Sequence, residues 1–269
     1  MTRWPSPEGA GLVAHAAAWY APAGAFAQRF ARFKLHHDPV FAILLAQGLV
    51  PARARILDIG CGQGLLPAWL ATASDCHPHS WPGDWPSPPV PTAYVGIELT
   101  PADAERARRA LCGRTAWPCE IRTADAREAL HDERAAYDVV VILDVLHYME
   151  FDAQQAVLRD AVRCLAPGGR LILRVGDASA GWRARYSRAV DRIVQWLRAG
   201  RATPLYCRPA DEWRRLLRGM GLALREIPLP ADAHGANVLM VGVLAESTTS
   251  HGTAGDACAG AAGVPAQPL

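Results

Sequence analysis

The sequence predicts an α/β fold: a three-layer, doubly wound sheet of seven strands, mostly parallel, with the last strand antiparallel. Three observations predict it. From about residue 51 to 219, short apolar runs alternate with amphipathic stretches, the pattern of parallel strands covered on both faces. A glycine-rich segment, LDIGCGQG at 57–64, directly follows the first run. The last two runs, ALREIPL and ANVLMVGVL, have only a loop between them, and strands joined that way pair antiparallel.

The elements follow in order. Residues 1–10 hold two prolines and a glycine and read as loose. Residues 11–48 read as helix, punctuated at Pro22, Gly24 and Pro39, and residues 1–50 form an N-terminal helical cap. Phe26, Phe30 and Phe33 recur at helical spacing, which predicts core packing or a lid over a site. RILDIG is a buried strand, LLPAWLATA a helix and YVGIEL a strand. PADAERARRALC is a helix opened by Thr100, with Pro101 at its first position. CEIRTAD, YDVVVILD and RLILRVGD are strands, separated by the short helix AREALHDE and the helix FDAQQAVLRDAVRCL, which APGG closes. An amphipathic helix runs from Asp177 to about Ala199, and PADEWRRLLRGMG is a second one. The main domain is thus 51–244, with the helices of 179–219 near a candidate ligand pocket. Residues 76–92, dense in Pro and Trp, form an insertion without regular structure, and 245–269 a disordered tail.

Composition narrows the function. The 269 residues are 51% hydrophobic with a net charge of +2, so no strong basic field marks a nucleic-acid binder. The seven cysteines are odd in number and form no CxxC pair, which points to a reducing, cytoplasmic setting rather than disulfides or structural zinc. No apolar run reaches the ~18–20 residues that span a bilayer.

The glycine loop sits where a parallel sheet binds ligands, beyond the carboxyl end of a strand and before a helix N-terminus that favours anions. A dinucleotide site requires G-x-G-x-x-G. This chain instead has Gly60-Cys61-Gly62-Gln63-Gly64, with Asp58 two residues before. Cys61 reads as small filler, since no basic neighbour in sequence would activate its thiol. That spacing resembles the first motif of the class I S-adenosylmethionine-dependent methyltransferases, whose fold is Rossmann-like. Residues 50–244 repeat further family features in order: GIEL, TADAREA, YDVVVILDVLHYM, LAPGGRLIL and the terminal antiparallel pair.

The resemblance implies S-adenosyl-L-methionine as cofactor, held by Asp58, Gly60, Cys61, Gly62, Gly64, Glu98, Leu99, Asp125, Ala126 and Asp144. In the family the acid at Glu98 takes the two ribose hydroxyls, the acid at Asp125 the adenine amino group, and the backbone N–H of Ala126 the ring. Gly64 and Glu98 lie further apart than the ~20 residues usual in such folds, because 76–92 intervenes. Asp144-Val145-Leu146-His147 stands where nucleic-acid branches carry Asn/Asp-Pro-Pro-aromatic, so a small-molecule acceptor is expected and nucleic acid is not. KLHHDPVF bears a faint likeness to methyltransferases of aryl-polyene and pigment clusters.

His147 is the candidate base for an acceptor proton, or a residue that steadies its loop through a hydrogen bond. His36 and His37 read as helix-end caps or pocket lining; adjacent histidines on a helix face different ways, so no metal site is expected. Tyr20 is placed to close over the methionine end of the cofactor, as in some family members. Direct, in-line methyl transfer to a small organic acceptor, aromatic or lipid-like, is the expected activity. An inactive scaffold on the same fold and a nicotinamide oxidoreductase are the alternatives.

Overall fold

The computed structural model describes residues 7–131, 133–179, 204–230 and 237–245. The helix expected beyond Asp177 and the tail lie outside these residues. Seven strands form one sheet: β1 (Arg55–Ile59), β2 (Ala93–Glu98), β3 (Cys119–Thr123), β4 (Tyr137–Leu143), β5 (Leu165–Gly176), β6 (Leu222–Ile227) and β7 (Asn237–Leu244). Their order is β3-β2-β1-β4-β5-β7-β6. β1 pairs in parallel with β2 and β4, and β2 with β3 and β4 with β5 likewise. β7 runs antiparallel between β5 and β6. The chain reverses its direction of travel across the sheet at β1/β4, and the carboxyl ends of β1, β2 and β4 meet there.

Both faces of the sheet are buried because its strands are apolar at successive positions. In β4, Val139 and Val141 join one hydrophobic cluster while Val140 and Ile142 join the other. The first face carries α1 (Pro7–Ala18), α2 (Ala25–His37), α3 (Val40–Ala46), α4 (Leu65–Ser74) and α5 (Pro101–Leu111). The second carries α6 (Ala126–Ala129), α7 (Phe151–Cys164) and α8 (Ala210–Gly219). The cap helices share one continuous core with α4 and α5, through Leu12, Leu35 and Leu44.

Four expectations are corrected. Residues 7–10 are helical rather than loose: Pro7 opens α1, where its fixed φ suits the first helical position. β5 begins at Leu165, so LAPGG belongs to the strand; Leu165 pairs with Tyr137, and the register shifts before Arg170 meets Val139. The insertion 76–92 is packed rather than unstructured. Trp81 and Trp85 meet edge to face at 5.4 Å against the first-face core, and Trp81 Nε1 donates to the Pro86 carbonyl at 3.0 Å. Of the α2 phenylalanines only Phe30 packs against the core: the buried face is Ala27, Ala31 and Leu35, while Phe26 and Phe33 are 62% and 60% exposed. Small alanines let α2 lie close on α1, a packing that bulky side chains would prevent.

Candidate functional site

The loop after β1 is shaped by backbone conformations that glycine alone adopts without strain. Gly60 and Gly62 have φ of 74° and 56°. A Cβ on Gly60 would lie 2.3 Å from Val145 Cγ2, so the post-β4 segment closes one side of the loop. A Cβ on Gly62 would meet nothing within 4 Å. The loop is therefore packed at its start and open at its middle.

The end of β2 holds the loop in place. The Ile97 carbonyl accepts from Gly60 N and Cys61 N at 2.7 and 3.1 Å. Glu98 bridges the gap beside them: one carboxylate oxygen accepts from Gly62 N at 2.9 Å, the other from Thr100 N at 2.8 Å. The long insertion therefore does not displace Glu98 from the loop. Leu99, next in sequence, is 65% exposed at the same rim.

Beneath the loop lies a buried acid. Asp58 accepts a 2.6 Å hydrogen bond from the Tyr94 hydroxyl. Burial pushes its carboxyl up to about 7, the Tyr94 bond opposes this, and Glu98 adds to it. Cys61 fills the space over Gly96, its Sγ 2.7 Å from where a Cβ would stand. Burial raises its thiol well above the ordinary value, which removes any thiolate chemistry near neutral pH.

The cap reaches the loop through Tyr20. This fully buried side chain donates from its hydroxyl to the Gln63 carbonyl at 2.9 Å. It braces the loop backbone. Gln63 Nε2 donates to Asp103 at 3.0 Å, tying the loop to α5 as well.

At the carboxyl end of β3, Asp125 caps α6 by accepting from Arg127 N at 2.9 Å. The Arg127 guanidinium also binds it; against the effect of burial, these bonds hold its carboxyl below the usual range. Ala126 beside it is buried.

The end of β4 is organised by Arg174 of β5, a residue the sequence reading passed over. Asp144 stands at φ 58°, unusual for a residue with a side chain, and its N–H donates to the Arg174 carbonyl at 3.1 Å. Arg174 Nε donates to Asp144 at 2.8 Å, and Nη2 makes a second contact. The same guanidinium grips Asp38 at the end of α2, with bonds of 2.5 and 2.7 Å. Burial would raise the Asp38 carboxyl, but Arg174 and Lys34 outweigh it and hold the group well below its ordinary value. A basic residue inside the apolar run LILRVG was the available signal, because an arginine is rarely buried unpaired.

His147 lies on a short 3-10 turn after β4 and is 7% exposed, with its ring 4.1 Å from Tyr148. Its carbonyl accepts from Tyr206 N at 2.8 Å. Gln154 fastens this turn, donating to the carbonyls of Leu146, Met149 and Tyr206 at 2.7 to 3.0 Å. Arg208 donates to Gln154 at 2.8 Å and packs over Phe151 and Trp213. His36 and His37 are exposed, and His37 Nδ1 lies 2.9 Å from the Phe33 carbonyl, as a helix-end cap does. Among the described residues no cluster of His, Cys, Asp or Glu is arranged to hold a metal, and no helix is long and apolar enough to cross a membrane.

The loop, Glu98, Leu99, Asp125 and Asp144 thus share the carboxyl edge of the sheet, with Asp58 buried below. Residues 57–171 match the family model described as a methyltransferase domain. A 27-O-demethylrifamycin SV methyltransferase from Amycolatopsis mediterranei is 36% identical over 129 residues, 47% of this chain and 40% of that protein. A ubiquinone biosynthesis O-methyltransferase from Caulobacter is 24% identical over 67% of this chain and 60% of its own length. A ribosomal RNA small subunit methyltransferase C from Chromohalobacter salexigens is 27% identical over 46% of this chain and 32% of its own. The chain therefore spans less than two thirds of each of these curated relatives. Among solved structures, magnesium protoporphyrin IX methyltransferase from Synechocystis with bound SAH superposes at a TM-score of 0.53, with 20% identity, covering 82% of this chain and 88% of that one.

Proposed function

We propose that the protein binds S-adenosyl-L-methionine at the glycine loop and methylates a small organic acceptor, since residues 57–171 match the methyltransferase-domain model and the sheet has the class I fold. The observation that carries this reading is the pairing of an open Gly62 with Glu98 directly beside it. The residues fit the cofactor. Space over Gly62 admits an amino-acid tail against backbone, and a carboxylate can accept from two neighbouring hydroxyls at once. The exposed Leu99 offers an apolar face to a flat ring, and Asp125 keeps acceptor capacity beyond its bonds to Arg127.

When bound, S-adenosylmethionine supplies a methyl group already activated on a sulfonium sulfur. The chain's task is then to position and to exclude water, which accounts for most of the acceleration in such a transfer. Glu98, which accepts from Gly62 N, would hold the ligand's two hydroxyls. Asp144 is committed to Arg174 and works by fixing the wall of the site. His147, within that wall, is the candidate to take the proton of an acceptor hydroxyl.

An apolar or aromatic acceptor is supported by Tyr148 and Phe151, both exposed after β4, and by two relatives named for rifamycin and ubiquinone chemistry. The ribosomal RNA relative makes nucleic acid the rival acceptor. The Asp144-Val145-Leu146-His147 sequence stands against base amino-methylation.

The test is calorimetric titration with S-adenosylhomocysteine, with NADH as control. Binding of the first alone, weakened about tenfold or more in Glu98→Ala, is the expected result. Binding of NADH, or no binding of S-adenosylhomocysteine to folded protein, refutes the reading.

A further inference from the structure

We propose that the outward face of α2 is a docking surface for an anionic phospholipid membrane. Phe26, Arg29, Phe33 and His36 follow one another at i, i+3, i+7 and i+10, so they share one side of the helix, with Arg32 beside them. All five are exposed. The residues that hold α2 to the protein, Ala27, Ala31 and Leu35, lie on another side. The two phenylalanines are therefore not part of the buried core. They are among the most exposed large hydrophobic side chains described.

Charge identifies the partner. Residues 25–37 contain Arg29, Arg32 and Lys34 and no acid. Lys34 is engaged with Asp38, but Arg29 and Arg32 make no ion pair among the described residues. Arg106 of α5 stands 5.1 Å from the centre of the Phe26 ring but is paired with Asp103 at 2.7 Å, so Arg29 and Arg32 carry the charge of this face. With a net charge of +2 over the whole chain, this cationic face is local. Aromatic rings flanked by arginines on one helix side suit the headgroup region of an anionic bilayer, where the rings enter the acyl boundary and the cations meet phosphate.

The geometry also fixes an orientation. Asp38 ties the end of α2 to Arg174 and so to Asp144 at the sheet edge, and Arg106 ties its start to α5. Docking through α2 would hold the glycine-loop end of the sheet at a set position relative to the lipid.

The proposal does not rest on methyl transfer, because the test needs neither cofactor nor acceptor. Protein is sedimented with vesicles of phosphatidylcholine alone and with vesicles containing about one third phosphatidylglycerol. Wild type is expected to sediment with the anionic vesicles only and to be released by high salt. The double variants Phe26→Ser/Phe33→Ser and Arg29→Glu/Arg32→Glu should each lower partitioning about tenfold or more while keeping the wild-type thermal melt. If charge reversal unfolds the chain, Arg29→Gln/Arg32→Gln replaces it. Failure of wild type to bind anionic vesicles overturns the proposal. So does binding that survives either folded variant, or binding of a homopolymeric RNA on this face with the vesicles ignored.

Discussion

Gly60 and Gly62 both have positive φ, yet replacing each with alanine should damage different properties. Alanine at a left-handed position costs roughly 1 kcal/mol in either case. At Gly60 the new methyl would stand 2.3 Å from Val145 Cγ2, and overpacking adds about 1–3 kcal/mol. The total of about 2–4 kcal/mol should lower Tm by roughly 5–15 °C in a domain of this size. At Gly62 the methyl meets nothing, so Tm should fall by only about 2–4 °C. Binding should show a different pattern: Gly62→Ala fills the space proposed for the cofactor and should weaken S-adenosylhomocysteine about tenfold or more by calorimetry. Val145→Ala should restore part of the stability lost in Gly60→Ala and none of that lost in Gly62→Ala. Equal destabilisation by the two substitutions, or no rescue by Val145→Ala, would refute this division of roles.

Three further outcomes follow from the same geometry. Burial raises the Asp58 carboxyl to about 7, so its protonated form is favoured by folding; its contribution is complete below the unfolded value near 4 and is lost as pH rises through 7. Asp58→Asn, which can still accept from Tyr94, should therefore gain on wild type as pH rises, by roughly 4 kcal/mol at most above pH 8, measured as the difference in urea unfolding. Arg174→Met leaves two carboxylates without their shared cation and should cost about 3–5 kcal/mol in urea unfolding, with partial recovery when Asp38→Asn and Asp144→Asn are added. Tyr20→Phe removes the bond to the Gln63 carbonyl and should cost about 1 kcal/mol, with faster amide exchange in the glycine loop by mass spectrometry.

The sheet was legible because its signals are local. The central strands β1, β2 and β4 are short apolar runs, and the loop of 57–64 carries its glycines within five residues. Glu98 was legible for the same reason, as an acid at a strand end. The Arg174 bridge was not, because Asp38 and Arg174 are 136 positions apart and only the fold brings them together. Phe26 and Phe33 misled because periodicity reports that a face exists and leaves open which of two faces is buried. Ala27, Ala31 and Leu35 form an equally regular stripe, and close helix packing selects the smaller side chains. The packing of 76–92 was hidden because its contacts are made by Trp rings and Pro86 around a single short 3-10 turn, Pro78–Ser80.

The place of β7 has a consequence for how the chain is made. Among the described residues it is the last strand in sequence, yet it lies inside the sheet, hydrogen-bonded to β5 on one side and β6 on the other. Until residues 237–244 leave the ribosome, β5 keeps an open edge and β6 has no place in the sheet. Met240, fully buried in the second-face core, arrives only then. A nascent chain stopped before Asn237 would thus expose the edge of a long apolar strand, the kind of edge that recruits other chains. Completion of the sheet waits on residues 237–244, and a truncation just short of β7 should yield aggregates rather than a smaller folded domain.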